Sequence, residues 1–120
     1  MILDKIELRH VKMRLKSPFR TSFGVEQERE CVLVTVYAGG LIGWGECVAT
    51  HFPGYSYETA ATAWHILRDF LAPLALSAPL GNIEDLVARV KPARGHPLAK
   101  AGLEMALWDW FGKAQNRPLA

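Results

Sequence analysis

Aromatic side chains in two predicted loops are the residues in this sequence that are best suited to binding a ligand. Phe19 and Phe23 lie four positions apart in the glycine-ended segment 19–24, and Phe52 and Tyr55 flank a Pro-Gly pair in a later connection. Because a loop has few apolar neighbours, an aromatic residue in it either anchors the loop to the core or faces an apolar ligand. If the two loops converge, their rings form a lid over that ligand.

Polar residues give weaker indications of chemistry. The 12 Asp and Glu residues are scattered, and the sequence has no EF-hand loop, H-E-x-x-H motif, phosphate-binding glycine loop or nucleophile elbow. The histidines have no metal-ligand spacing: His10, His51, His65 and His96. Lys100 lies in an apolar helical stretch, where a desolvated lysine can act as a base, but we favour a structural role in which its side chain extends to solvent or forms a pair, for example with Glu104 one turn later. These residues alone predict neither a catalytic group nor a metal site.

Composition and charge exclude several classes of protein. The 120 residues are 50% hydrophobic and 22% charged, which is typical of one folded domain. The formal net charge is +2 with both signs interspersed, so no polybasic face for nucleic acid or anionic lipid is expected. The sequence has no apolar run of about 18 residues and no signal-peptide pattern, and we expect a cytoplasmic protein. Cys31 and Cys47 do not form a C-x-x-C motif and are interpreted as two buried hydrophobic residues.

The first strand is predicted from alternating apolar residues between Lys5 and Lys16. The parity of the alternation changes near His10, which predicts a β-bulge at that point. We expect Ser17-Pro18 to end this strand, and we interpret residues 19–24 as a loop.

Two further strands and a tight turn are predicted between residues 29 and 49. Residues 29–38 are rich in β-branched and apolar side chains, and Gly39-Gly40 supplies the positive φ angles of a hairpin turn. Residues 41–49 then return antiparallel. Within this return, Gly43-Trp44-Gly45 indicates a bulge or the close approach of another backbone. The three strands form an antiparallel meander.

Helices are predicted after a turn-rich connection. Ser56 is the expected N-cap of the first helix, which has Glu58 in its first turn and ends at Pro73. Asn82 is the expected N-cap of the second, which ends at Pro92. Four apolar residues at helical spacing predict the buried face of the second helix: Ile83, Leu86, Val87 and Val90.

The third helix is predicted from Pro97 to about Ala114 and is apolar on nearly every side. Such a helix is normally buried on more than one face, yet 120 residues leave little material to cover it. This imbalance indicates that the chain is incomplete. The element order predicts an α+β fold, a three-stranded antiparallel meander followed by a helical bundle.

Three motifs, in this order, are similar to the N-terminal portion of the enolase superfamily. They are Ser-Pro-Phe-Arg-Thr-Ser-Phe-Gly at 17–24, Gly-Trp-Gly-Glu-Cys at 43–47, and Gly-His-Pro-Leu-Ala-Lys-Ala-Gly-Leu-Glu-Met-Ala-Leu-Trp-Asp at 95–109. Within the muconate lactonizing enzyme subgroup, the sequence most resembles the o-succinylbenzoate synthase / N-acylamino acid racemase family. The second and third motifs are shared widely across the superfamily, whereas the first is more particular to this family. The resemblance covers essentially all 120 residues.

The resemblance implies that residues 1–120 are a capping domain, with strands at about 3–50 and helices at about 56–115. Residues 115–120 would begin the connection to a (β/α)₈ barrel that lies outside this chain. The family's chemistry belongs to that barrel, where two opposed lysines and a Mg²⁺ ion held by three carboxylates remove a proton α to a carboxylate. The chain itself would be inactive, with no catalytic or metal-binding residue.

The resemblance also implies which residues of this chain meet the substrate. Phe19, Arg20 and Phe23 match the family's first capping loop, and Tyr55 matches its second. The aromatic residues would form an apolar roof over the substrate side chain, and Arg20 would attract a carboxylate. The expected partners are the protein's own C-terminal barrel, a small carboxylate substrate and further copies of the full-length protein, with neither nucleic acid nor membrane. The apolar third helix would pack against the barrel.

Several activities stay open. o-Succinylbenzoate synthesis and racemisation of N-acylated amino acids share one enediolate intermediate, and a capping domain alone does not distinguish them. Other members of the subgroup, such as a dipeptide epimerase or a muconate cycloisomerase, are alternatives within the enzyme class. The chain could also be a free-standing module that binds a small ligand, which a stop codon directly after Ala120 would favour.

Overall fold

In the computed structural model of this chain, helices pack against one face of a three-stranded antiparallel sheet. The structure describes residues 1–21, 24–49 and 58–115, without the side chains of residues 13–21 and 24–29. The strands are β1 (Lys5–Thr21), β2 (Gly24–Ala38) and β3 (Leu41–Cys47), in the order β1-β2-β3. The helices are α1 (Ala60–Ile66), α2 (Ala72–Leu76), α3 (Ile83–Val90) and α4 (Pro97–Ala114). The predicted α+β order, a meander followed by helices, is confirmed.

Strand β1 is longer and more regular near its start than predicted. It pairs with β2 without interruption from Lys5 to Arg14, so the expected bulge near His10 was wrong. The parity of the apolar residues changes because Val11 lies on the other face of the sheet. It pairs with Cys31, and neighbouring residues of a strand, such as Cys31 and Val32, lie on opposite faces.

The sequence Ser17-Pro18 does not end β1. The register instead shifts between Arg14 and Phe19, where β1 advances five positions while β2 advances two, and the pairing then resumes up to Thr21. A proline has no amide hydrogen to give to a β-ladder, so the extra residues remove Pro18 from the pairing without ending the strand.

The turn at Gly39-Gly40 and the close approach at Gly43 and Gly45 are confirmed. Gly39 and Gly40 have φ angles of +56° and +78°. A Cβ atom on Gly43 or Gly45 would overlap a backbone carbonyl oxygen of α4. Helix α4 therefore lies directly on the backbone of β3.

Helix α1 begins later than predicted. Its N-cap is Thr59, whose hydroxyl oxygen accepts a hydrogen bond from Thr62 N at 3.2 Å, while the Thr62 hydroxyl oxygen accepts one from Thr59 N at 2.8 Å. The predicted N-cap, Ser56, lies outside the described residues. Glu58 precedes the helix and is not part of its first turn.

Pro73 does not end the first helical segment. Helix α1 continues through a π-helical turn, Leu67–Leu71, into α2, which ends at Leu76. In a regular α-helix the ring of Pro73 would clash with the carbonyl group of Asp69. The wider turn, in which Ala72 N donates to Leu67 O, makes room for the proline inside the helix.

Helices α3 and α4 have the predicted starts. Asn82 is the N-cap of α3, its side-chain oxygen accepting from Asp85 N at 3.0 Å, and α4 begins at Pro97. The predicted buried face of α3 was wrong at Val87, which is 49% exposed. Helix α4 buries Gly102, Leu103, Ala106 and Leu107 and leaves Met105 and Trp108 exposed. None of the described helices is long and apolar enough to cross a membrane.

Candidate functional site

Both predicted capping segments leave the sheet at the same end. Strands β2 and β3 are antiparallel, and Cys47, the last residue of β3, lies opposite Val32. The part of β2 that precedes Val32, back to Gly24, extends beyond Cys47 on the side where β3 ends. The paired residues Thr21 and Gly24 of the β1-β2 hairpin and Cys47 at the end of β3 therefore point to the same end of the sheet. We call this the loop end of the sheet.

The N-terminus of α4 also lies at the loop end. A Cβ atom built on Gly102, early in α4, would lie 3.1 Å from Cys47 Cβ. Near the other end of α4, the indole nitrogen of Trp110 donates to Ala38 O at 2.9 Å, beside the Gly39-Gly40 turn. Helix α4 thus runs antiparallel to β3, with its first turn towards the loop end of the sheet.

A buried carboxylate binds that first turn. Glu58 is 2% exposed, and its two oxygens accept hydrogen bonds from Leu98 N at 2.8 Å and Ala99 N at 3.0 Å. The backbone amides at a helix N-terminus have no partner within the helix and carry partial positive charge, so a carboxylate is a favourable acceptor there. Glu58 therefore caps a helix that begins 39 positions further along the chain.

Sequence reasoning missed this role of Glu58 because it placed the residue in the first turn of α1. A signal for it is present in the sequence. Arg94-Gly95-His96 precedes Pro97, so no Ser, Thr, Asp or Asn stands directly before α4 to cap it. A long helix that begins in this way needs an acceptor from another element.

A polar pair marks the loop end on the strand side. His10 Nε2 lies 2.8 Å from Glu30 Oε2, and Lys12 Nζ lies 3.7 Å from the other oxygen of Glu30. The ring of His10 is 6.4 Å from the ring of Trp64 in α1. These contacts connect β1, β2 and α1.

The backbone of the first capping segment differs from the prediction. Phe19 and Arg20 belong to β1, opposite Glu26 and Val25 of β2, so this part of the segment is the tip of a hairpin and not a loop. Their side chains lie outside the described part of the chain. All of Phe23 and Tyr55 likewise lies outside it, so the contact of these four residues with a substrate stays a prediction.

Lys100 makes a structural contact. Its ammonium group donates to the carbonyl oxygen of Ala93, in the connection between α3 and α4. This contact agrees with the favoured structural role of Lys100. The partner differs from the suggested one, because Glu104 accepts a hydrogen bond from the indole nitrogen of Trp108 at 3.3 Å. Within the side chains that the structure describes, no group of three or more His, Cys, Asp or Glu residues could hold a metal ion.

The two cysteines are buried, as predicted. Cys31 is 2% and Cys47 is 0% exposed, and both are free thiols. Burial raises the pKa of the Cys47 thiol above its usual value, which disfavours the reactive thiolate. Cys47 accordingly serves as a small apolar residue against α4.

Comparison with known proteins gives consistent matches. Residues 5–120 match the family described as "Mandelate racemase / muconate lactonizing enzyme, N-terminal domain". An o-succinylbenzoate synthase from Geobacillus stearothermophilus is 47% identical over 98% of this chain and 32% of its own length. An N-succinylamino acid racemase from Thermus thermophilus is 42% identical over 99% of this chain and 32% of its own length.

A solved structure agrees. The muconate lactonizing enzyme from Pseudomonas fluorescens superposes with a TM-score of 0.88 at 28% identity, over 95% of this chain and 31% of that enzyme. The chain therefore spans about a third of the length of the relatives that it matches.

Proposed function

We propose, from the premise that this chain belongs to the mandelate racemase / muconate lactonizing enzyme N-terminal domain family of the enolase superfamily, that it caps the active site of a longer enzyme. The observation that supports the proposal is that the β1-β2 hairpin and β3 both end towards the same end of the sheet, the end at which α4 begins. The reaction that we propose for the full-length enzyme is o-succinylbenzoate synthesis, racemisation of N-acylated amino acids, or both. Similarity over nearly the whole chain to a synthase and to a racemase supports this choice.

The proposed substrate contacts are Phe19, Arg20, Phe23 and Tyr55. The aromatic rings would cover the side chain of the substrate and exclude water from the reacting carbon. Arg20 would attract a carboxylate, such as that of a succinyl group. Residues that cap the substrate in this way determine which side chain is accepted, while the bond-making groups lie elsewhere in the enzyme.

The proposal also assigns the remaining parts of the enzyme. Residues 1–120 form the capping domain, and residues 115–120 begin the connection to a C-terminal barrel. That barrel would supply the lysines and the carboxylates that bind Mg²⁺. The exposed side of α4 at Met105 and Trp108 would pack against it. Homo-oligomerisation and a cytoplasmic location of the full-length enzyme stay predictions.

A muconate cycloisomerase is the second candidate activity. The superposition on a muconate lactonizing enzyme supports it. The identity to that enzyme is lower than the identity to the synthase and the racemase, so we place it second.

Two measurements test the proposed function. The first extends the reading frame past Ala120 and compares the purified full-length protein with this chain alone. We expect Mg²⁺-dependent turnover of the o-succinylbenzoate precursor or of N-succinylamino acids only in the full-length protein. Turnover by the 120-residue chain alone, or of neither substrate class by the full-length protein, would contradict the proposal.

The second measurement replaces Phe23 by alanine in the full-length enzyme. We expect kcat/KM for N-succinylamino acids with bulky apolar side chains to fall by about tenfold or more, because an apolar wall of the substrate pocket is lost. The thermal midpoint should change little. Phe70→Ala is the matched control, since Phe70 is half-exposed on the π-helical turn and should leave the kinetics unchanged. If Phe23→Ala lowers the thermal midpoint and leaves kcat/KM intact, Phe23 is a core residue and not part of the roof.

A further inference from the structure

The sheet has a second face, against which none of the described helices packs. The sheet residues that contribute to the core cluster all lie on the helix side. On β3, Gly43 and Gly45 lie beneath α4. The alternate residues of this strand therefore point to the opposite side, and all three are exposed: Ile42, Trp44 and Glu46. We call this opposite side the outer face of the sheet.

The strand register arranges the outer face in three rows of three residues. Residues that pair across neighbouring strands share a face. In the order β1, β2, β3, the rows are Lys5, Tyr37 and Ile42; Glu7, Thr35 and Trp44; and Arg9, Leu33 and Glu46. The charged residues thus lie on β1 and near the end of β3, while most of the apolar and aromatic ones lie on β2 and β3.

Large apolar side chains of the outer face are left open to solvent by the described part of this chain. Ile42 is 38% and Trp44 is 47% exposed. Removing such side chains from water is the main favourable contribution to protein association. Helix α4, whose exposed side we assign to the barrel, lies on the other side of the sheet. A barrel that packs against α4 therefore leaves Ile42 and Trp44 to another partner.

We propose that the outer face of the sheet is the interface between two copies of the enzyme. This inference rests on the proposed function, because it takes α4 as the surface that meets the barrel. Two identical faces form a closed dimer when they meet about a twofold axis. If this axis runs parallel to the strands, β1 of one copy lies over β3 of the other, in the aligned packing that is usual for stacked sheets.

The charges of the third row fit this arrangement. Arg9 and Glu46 lie on the two outer strands, with Leu33 between them. In the dimer, Arg9 faces Glu46 of the partner subunit, and the pair occurs twice. The side chain of Arg9 is 60% exposed and lies 3.2 Å from one oxygen of Glu7, so its guanidinium keeps further donors for a second carboxylate.

The alternative twofold axis, perpendicular to the strands, is disfavoured by the same charges. It would stack β1 on β1, with Glu7 over its own copy and Arg9 over Lys5. Like charges that face each other across an interface oppose association. The arrangement of charges therefore selects the axis parallel to the strands.

The test is the mass of the full-length enzyme, measured by sedimentation over a range of concentrations. We expect at least a dimer for the unsubstituted enzyme. Arg9→Glu and Glu46→Arg should each raise the dissociation constant about tenfold or more, because each puts like charges in contact twice. The double variant that combines them should return the dissociation constant towards the unsubstituted value. Since Leu33 separates the two residues within one copy, this recovery reports a contact between copies.

Arg94→Glu is the matched control for the charge reversals. Arg94 is exposed in the connection between α3 and α4, and its reversal should leave the dissociation constant unchanged. Trp44→Gln tests the apolar part of the interface and should also weaken the dimer. Phe70→Gln, at a similarly exposed ring on the π-helical turn, should not.

Three outcomes would overturn the inference: a monomeric full-length enzyme, a dissociation constant that the outer-face variants leave unchanged, or a double variant that does not recover. If a reversed charge prevents folding, Arg9→Gln and Glu46→Gln replace it, and equal dissociation constants for both and for the unsubstituted enzyme count against the interface. Activity separates this inference from the proposed function. A monomer that turns over either substrate class contradicts the interface alone, whereas a dimer that turns over neither contradicts the proposed function alone.

Discussion

Asp109 and Lys113 of α4 bind polar backbone groups on the free edge of β3. Trp44 N donates to Asp109 Oδ2 at 2.8 Å, Lys113 Nζ lies 3.0 Å from the same oxygen, and Lys113 also donates to Ile42 O at 2.8 Å. Unpaired backbone groups on an edge strand invite pairing with another chain. These two side chains therefore satisfy part of the edge of β3 and join it to α4.

The charge of Asp109 makes this contact dependent on pH. Partial burial raises the pKa of its carboxyl, but the hydrogen bond from Trp44 N and the ammonium of Lys113 outweigh this effect and lower the pKa below its usual value. A native pKa below the unfolded one stabilises the fold fully above the unfolded pKa, about 4, and this stabilisation is lost as the pH falls through the native pKa.

We therefore predict that Asp109→Asn lowers the free energy of unfolding at pH 7 by about 1 kcal/mol. Urea denaturation of the chain between pH 7 and pH 3 measures this difference. The difference between the unsubstituted chain and Asp109→Asn should shrink as the pH falls below about 4 and through the lowered native pKa, because the carboxyl is protonated first in the unfolded state and then in both states. Asp4→Asn, at an exposed side chain, is the control and should cost less than half as much at pH 7. A difference that does not depend on pH would contradict the assigned role of the charge.

The candidate site could be predicted from the sequence only in part. The aromatic residues of segment 19–24 and Tyr55 were singled out because aromatic side chains are unusual in predicted loops, and their contact with a substrate stays a prediction. The role of Glu58 could not be found from its neighbours, since the amides that it binds begin 40 positions away. A carboxylate next to a helix start is interpreted locally as part of that helix, and only the tertiary fold shows that it caps another one.

At the scale of elements, the close contact between α4 and β3 is possible because Gly43 and Gly45 of β3 have no side chains. A Cβ atom on Gly45 would overlap Gly102 O and lie 2.7 Å from Ala106 N, and one on Gly43 would overlap Ala106 O and lie 2.8 Å from Trp110 Cβ. The obstructing atoms belong to the backbone of α4 or lie next to it, so they cannot move without moving the helix.

We predict that Gly45→Ala lowers the free energy of unfolding by about 3 kcal/mol or more, because the added methyl group must displace α4 from the sheet. Gly40→Ala is the control. Gly40 has a φ angle of +78° with no atom within 4 Å of an added Cβ, so its substitution costs only local strain, about 1 kcal/mol. Urea denaturation compares the two variants. Equal losses for both would show that the contact between α4 and β3 tolerates a side chain.

Local signals predicted the elements whose boundaries depend on local chemistry. Asn82 caps α3, Pro97 starts α4 and Gly39-Gly40 forms the turn, each through groups within a few residues. The predictions that Pro18 and Pro73 end their elements were wrong, because the effect of each proline depends on the structure around it. The register against β2 removes Pro18 from the pairing, and the π-helical turn accommodates Pro73.

At the scale of the whole molecule, α4 has two apolar sides, and the described residues of this chain cover only one. Gly102, Leu103, Ala106 and Leu107 are buried against the sheet and the other helices, whereas Met105 and Trp108 on the opposite side are each 46% exposed. A residue of this size and apolarity is normally buried on folding. Because the relatives are about three times longer than this chain, we interpret the exposed side of α4 as the contact with the remainder of the enzyme.

The exposed side of α4 should make the chain alone self-associate. We predict that light scattering of the 120-residue chain shows a mass that rises with concentration, and that the double substitution of Met105→Gln and Trp108→Gln shifts it towards the monomer. Phe70→Gln is the control, because Phe70 is similarly exposed on the π-helical turn, and it should leave the association unchanged. A monomeric chain at high concentration, or an equal effect of Phe70→Gln, would mean that this side of α4 does not drive association.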